Sequence, residues 1–326
     1  MTSVRTLSTD ARHAGAQMML GKPVAAAIIE ELRADVAAFV ERYGYVPTLA
    51  VMTVGPTPAA ERYTETLRKQ SAAVGLAFER VALDPDADEL TVRAQIVELN
   101  HRPQIAGVLV QMPLPAHLSP TIVGETLDPY KDVDGITPTN AGNLSLGLPG
   151  LFPSTPLGGV ALLTHYAISL AGKHAVVVGR SNVVGRPLAQ LLLREDATVT
   201  IAHSRSTDLA DLTRRADILA VAVGRVGFIV PEMVKPGAVV VDFGTNFTAD
   251  GLHGDVAPEV ATVASAFTPV PGGTGPVTNA ILLRNTLRAA RETMAVRSHL
   301  RLSDEDRIET GENRRGAENA EITERE

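Results

Sequence analysis

The chain contains no cysteine and no tryptophan, and aromatic residues fill only 4% of its 326 positions. The first absence excludes disulfides, thiol nucleophiles, thiolate zinc sites and thiolate-held iron–sulfur clusters, and it suits a reducing, cytoplasmic location. Few aromatics leave little with which to stack the bases of a single-stranded nucleic acid. An excess of positive charge is also missing: the formal net charge is −7, against the basic footprint of nucleic-acid binding. No apolar run approaches the ~20 residues that span a bilayer. Neither nucleic acid nor membrane is therefore an expected partner. The eight histidines form no His-Glu-x-x-His arrangement, so no metal centre is expected. Asp84, Asp86 and Asp88 imitate the start of a calcium loop, but its glycine position holds Glu89 and its closing glutamate position holds Gln95. A polar loop leading into a helix is the better reading.

What is present describes a folded protein. Hydrophobic residues make up 45% and charged residues 21%. The length fits about two domains at roughly 100–200 residues each. The first 19 residues carry Arg5, Asp10 and Arg12 without an apolar stretch and read as a disordered extension rather than a secretory signal. From His299 to Glu326 nine acidic residues face five basic ones, a balance of −4 that leaves −3 for the rest. That segment, with the boundary set at 297–326, reads as a disordered acidic tail.

Between these ends, apolar blocks alternate with helix-like stretches. Lys22 to Tyr43 places Val24, Ile28, Ile29, Leu32, Val36 and Val40 on one helical stripe. Leu49 to Val54 reads as a strand, Glu61 to Val74 as a helix and Ala106 to Gln111 as a strand closed by prolines. Pro149 to Pro156 looks like a crossover between domains. From Lys173 onward a regular series follows, with strands at His174–Val178, Thr198–Ala202, Asp217–Val223, Ala238–Asp242 and Ala266–Thr268. Helices fall at Gly185–Arg194, Leu209–Arg215 and Pro276–Met294. No internal repeat is found. This pattern predicts an α/β fold of two domains with largely parallel sheets, the second a doubly wound nucleotide-binding unit.

The strand ending at Val178 runs into Gly179-Arg-Ser-Asn-Val-Val-Gly185, a glycine turn opening onto a helix whose free N–H groups suit a phosphate. An NAD site usually carries an acidic residue ~20 positions further on, for the ribose hydroxyls. Here the second strand ends in His203-Ser-Arg205 with no carboxylate. Arg180, Ser204 and Arg205 are suited to a 2′-phosphate, which favours NADP over NAD.

Seven blocks in order complete the picture: Val54-Gly55 with Tyr63, Val110-Gln-Met-Pro-Leu-Pro115, Lys131-Asp-Val-Asp-Gly135, Asn140-Ala-Gly142, Ser154-Thr-Pro156, Val178 to Pro187, and Thr268-Pro-Val-Pro-Gly-Gly-Thr-Gly-Pro276. On these the chain resembles the methylenetetrahydrofolate dehydrogenase/methenyltetrahydrofolate cyclohydrolase family, from about Leu20 to about Val296. The resemblance implies a folate-binding catalytic domain over 20–149 with a returning helix over 276–296, a Rossmann domain over 150–275, a cleft between them and a homodimer. It implies oxidation of 5,10-methylenetetrahydrofolate to the methenyl compound, then hydrolysis to 10-formyltetrahydrofolate. Carried over position by position, Tyr63 stacks near the pterin, Gln111 hydrogen-bonds in the folate site and Asp134 grips the polar edge of the pterin. Pro271, Gly272 and Gly273 form a loop close to the folate, and Gly179, Arg180, Ser181, Ser204 and Thr245 line the cofactor.

One departure bears on function. The family places a catalytic lysine four residues after the tyrosine, one helical turn on, where both side chains would enter the cleft. Here that residue is Leu67, and Lys69 lies roughly 200° around the helix from it. The family's serine before the tyrosine is Ala60. Leucine can neither move a proton nor polarise a nitrogen. The expectation is an NADP-dependent dehydrogenase whose cyclohydrolase activity is weak or lost. A fully bifunctional enzyme and a non-catalytic folate- and NADP-binding relative remain alternatives.

Overall fold

The computed structural model describes residues 15–296. The expected disorder of the first 19 residues is corrected at its end: Gln17–Met18 form a strand, β1, which pairs in parallel with a strand some 250 residues later. Residues 1–14 and the tail expected over 297–326 lie outside the described residues.

In the first half of the chain β1 is followed by α1 (Gly21–Tyr43), β2 (Thr48–Val54), α2 (Pro58–Val74), β3 (Ala77–Leu83), α3 (Glu89–His101), β4 (Ile105–Val110), α4 (Thr121–Thr126) and α5 (Pro138–Ser145). β2 is buried along its whole length between β3 and β4, both parallel to it. α2 starts where the Thr57 hydroxyl accepts from the Ala60 N–H and where Pro58 presets the first turn. It stops at Gly75, whose φ of 83° is the left-handed conformation of a helix end. Asp88 caps α3 by accepting from the Thr91 N–H at 2.8 Å. The acidic triplet is thus a turn and a helix cap, as read from the sequence.

The second half begins with α6 (Ser154–His165). It continues through β5 (His174–Val178), α7 (Gly185–Arg194), β6 (Thr198–Ala202), α8 (Leu209–Thr213), β7 (Ile218–Val221), β8 (Val239–Asp242), the hairpin β9 (Asn246–Thr248) and β10 (Gly251–His253), and β11 (Ala266–Phe267). A last helix, α9, covers 274–296. Six strands make one parallel sheet in the order β1-β11-β8-β7-β5-β6. β6 lies on one side of β5 and β7 on the other, which opens a crevice beyond the C-terminal ends of β5 and β7.

Two helices stitch the halves together. Val24 and Ile28 of α1 join the core of the six-stranded sheet, while Leu32, Val36 and Phe39 join that of the three-stranded sheet. Likewise Val277, Ala280 and Ile281 of α9 serve the first core, and Leu282, Leu283 and Leu287 the second. Each helix therefore packs into both cores.

Candidate active site

The Lys131-Asp-Val-Asp-Gly135 block forms a loop beside β4, and most of it is architecture. Lys131 is buried and donates to the carbonyl oxygens of Leu99, Asn100 and Arg102 at 3.1, 2.6 and 2.8 Å, so a cation caps the C-terminal end of α3. Buried Asp132 accepts from the N–H groups of Ile136 and Thr137 and from the Asn140 amide, at 3.1, 2.8 and 3.0 Å. Asn140 accepts from the Leu151 N–H, and Asn285 of α9 donates to both Val133 O (2.8 Å) and Phe152 O (3.0 Å). The loop, the crossover and the returning helix are thereby fastened to one another.

Asp134 is the side chain of the block left for chemistry. Ser154, at the start of α6, is a polar neighbour that favours its charged form. Burial first, and the negative charge of Asp132 second, push its carboxyl up to about 7, against the pull of Ser154. Burial also raises the Tyr63 phenol above its ordinary range, and the Asp134 charge adds to this. Tyr63 is thus a neutral hydroxyl under the electrostatic influence of Asp134. Gln111 joins the same corner: its amide nitrogen donates to the Thr64 hydroxyl at 2.6 Å, which ties the end of β4 to α2 beside Tyr63. Asp134 is thus an electrostatic neighbour of Tyr63, and Gln111 is bonded to the residue that follows Tyr63.

Leu67 has 0% exposure and belongs to the apolar core with Leu49, Val51 and Leu76, against which Tyr63 packs in part. Leu67 and Tyr63, one helical turn apart, therefore touch the same apolar cluster.

The dinucleotide end is equally concrete. A cavity of about 250 Å³ sits at the crevice beyond β5 and β7, lined by Gly179, Arg180, His203, Ser204, Val223 and Arg225 among others. A Cβ on Gly179 or Gly185 would collide with the backbone of Ala222 or of Gly179, so the turn closes only with glycine. Two guanidinium groups and a serine hydroxyl with no carboxylate fit a phosphorylated ribose. Arg225, whose guanidinium lies 4.6 Å over the Phe228 ring, was not singled out in the sequence, nor were His203, Leu209 and Phe228, which also line this cavity. Their only sequence signal is position, just beyond the ends of β6 and β7.

Three expected cofactor residues lie outside that cavity. The Ser181 hydroxyl accepts from Val184 N and Gly185 N at 3.1 and 3.4 Å and so helps start α7. Thr245 is exposed in the turn between β8 and β9. Arg205 lines a shallower neighbouring depression with Asp208 and Arg215. The Pro271–Gly273 loop follows β11 on the same edge of the sheet and is held by the Gly21 N–H donating to Gly272 O at 2.8 Å.

A second cavity, about 390 Å³, lies where the two halves of the chain meet. The first domain contributes Gly135, Ile136 and Pro138, next to Asp134, and the second contributes Asn182, Arg186 and Pro187 of the glycine loop and α7.

Comparison with known proteins agrees with this layout. Residues 19–134 match the catalytic-domain model of tetrahydrofolate dehydrogenase/cyclohydrolase, and residues 153–294 match the NAD(P)-binding-domain model. The chain belongs to the tetrahydrofolate dehydrogenase/cyclohydrolase family. It is 51% identical over 281 residues to the bifunctional protein FolD of Roseiflexus sp., covering 86% of this chain and 98% of that one. The crystal structure of the bifunctional FolD enzyme of Campylobacter jejuni superposes with a TM-score of 0.82 at 41% identity, covering 85% of this chain and 99% of that one. The Trypanosoma brucei dehydrogenase-cyclohydrolase, solved with NADP cofactor and an inhibitor, gives a TM-score of 0.82 at 35% identity over 86% of this chain and 99% of that one. The family assignment gives the chain its two-domain α/β architecture, its NAD(P)-binding domain and its place in one-carbon folate chemistry. Among the described residues, no helix is long and apolar enough to cross a membrane.

Proposed function

We propose that this chain is an NADP-dependent 5,10-methylenetetrahydrofolate dehydrogenase in which hydrolysis of the methenyl product is weak or lost. The observation that carries the dehydrogenase reading is the shared cavity between the Asp134 loop and the glycine loop. The reading seats a pterin on the first domain's side of this junction and a nicotinamide on the second's. Hydride transfer needs chiefly that the two rings be held face to face, which is catalysis by positioning. NADP, when bound, supplies the hydride acceptor. Asp134 accepts hydrogen bonds from the pterin edge, Tyr63 packs beside the ring and Gln111 fixes α2 against β4. Arg180, Ser204 and Arg225 take the 2′-phosphate, with Arg205, Ser181, Thr245 and the Pro271–Gly273 loop around the bound molecules.

Water attack on the methenyl carbon needs a group that manages protons at the folate nitrogens. Leu67, fully buried and without a titratable atom, supplies none. The bifunctional relatives favour a second reading, in which Tyr63 and Asp134 sustain both activities. One assay separates the two: purified protein is mixed with methylenetetrahydrofolate and NADP, and reduced cofactor and methenyl product are followed separately. Reduced cofactor with lasting methenyl supports the first reading, and prompt methenyl decay the second. Binding of both ligands without turnover marks a non-catalytic protein.

The proposal includes a homodimer. The six-stranded sheet ends at β6, where Ile201 is exposed, with exposed Leu193 on the preceding helix. Light scattering on the purified chain at micromolar concentration is expected to give twice the chain mass.

A further inference from the structure

Three turns meet at the C-terminal edge of the six-stranded sheet, and one buried carboxylate gathers them. Asp255 has 0% exposure. Its Oδ2 accepts from Val223 N at 2.6 Å and Gly224 N at 2.9 Å, and its Oδ1 from Arg225 N and from the Asn246 amide, both at 2.8 Å. Its own N–H donates to Asp242 Oδ1 at 3.0 Å, and Asp242 also takes the N–H groups of Gly244 (2.7 Å) and Val256 (3.0 Å). A Cβ on Gly244 would lie 2.7 Å from Asp255 Oδ1, and one on Gly254 would strike Asp242 Oδ2, so both neighbours are glycine.

Three of the four donors to Asp255 are consecutive main-chain amides of one turn, the turn that carries Val223 and Arg225 into the 250 Å³ cavity. We propose that Asp255 is a positioning residue for the dinucleotide, setting the cavity wall that bears Arg225 and Phe228 by drawing the amides of residues 223–225 onto one carboxylate. The inference deepens the cofactor reading above and rests on it. A carboxylate offers two accepting oxygens to this set of donors. An asparagine offers one, and turns its own N–H groups toward donors, so the turn would lose its shape while the side-chain volume stays the same.

The test is NADP binding measured by calorimetry on the full chain, for wild type and Asp255→Asn, with hydrogen exchange of the 223–225 amides and steady-state kinetics alongside. The expected result is a rise of at least tenfold in the NADP Kd and faster exchange at 223–225, with the folate KM at saturating NADP within twofold of wild type. An Asp255→Asn protein that folds and binds NADP within twofold of wild type overturns the inference alone, as does an equal loss of folate affinity, the mark of a merely structural role. Wild type that binds neither NADP nor NAD overturns the cofactor reading and this inference with it. Should Asp255→Asn not fold, Asn246→Ala removes one donor and keeps the carboxylate. A two- to fivefold rise in NADP Kd is then expected, and an unchanged Kd contradicts the proposal.

Discussion

The charge of Asp134 acts on the hydroxyl of Tyr63, across the gap between the loop joining α4 to α5 and helix α2. The same carboxyl is pushed up to about 7 by burial and by Asp132. The folded protein therefore holds this proton more tightly than the unfolded chain, whose carboxyl titrates near ~4. Its contribution to stability is fully present below that value and is lost as pH rises through about 7. Asp134→Asn is expected to match wild type at pH 4 and to exceed it by about 1–3 kcal/mol at pH 8. Urea unfolding at the two pH values checks this. The same variant is expected to lose folate affinity by at least tenfold, since an amide presents only one acceptor to the pterin edge.

Leu67→Lys returns a titratable group to the position one turn beyond Tyr63. Helical side chains lean toward the N-terminus, so the ammonium would reach toward Tyr63 and Asp134. The site is fully buried, and the substitution is expected to cost about 2–4 kcal/mol in urea unfolding. In exchange, methenyl hydrolysis is expected to rise at least tenfold above that of the parent protein.

Asn285 donates to two backbone carbonyls, one next to Asp134 and one in the crossover. Asn285→Ala leaves Phe152 O without this donor and Val133 O with only the long Ser154 hydroxyl contact, at a cost of about 1–3 kcal/mol. The folate KM is expected to rise more than the NADP KM, because Val133 adjoins Asp134. Equal changes in the two KM values would show that the amide serves stability alone.

Arg180→Ala is expected to raise the NADP KM at least tenfold and to leave the NAD KM nearly unchanged, since the guanidinium is assigned to the 2′-phosphate. Paired kinetics with the two cofactors decide it.

The parallel sheets were legible because β2, β4, β5, β7 and β8 are buried apolar runs. β3 was not, because it is an edge strand and tolerates Glu79 and Arg80 in its middle. β1 escaped for a different reason: two residues within a polar extension become a strand only through pairing with Ala266–Phe267, far along the chain. The candidate site residues Tyr63, Gln111 and Asp134 could be singled out because they sit in compact motifs. Arg225, Phe228 and Asp255 could not, since turns converging from separate strands leave no local spacing to read. That position 67 carries no titratable group was plain in the sequence, whereas its full burial depended on packing.

The second half-reaction can be measured without the first. Methenyltetrahydrofolate is added to the purified protein in the absence of nicotinamide cofactor, at fixed pH and buffer, and its disappearance is followed against enzyme concentration. The account predicts a rate equal, or nearly equal, to that of enzyme-free buffer at every concentration. A rate that climbs steeply in proportion to enzyme, far above the buffer rate, would contradict it.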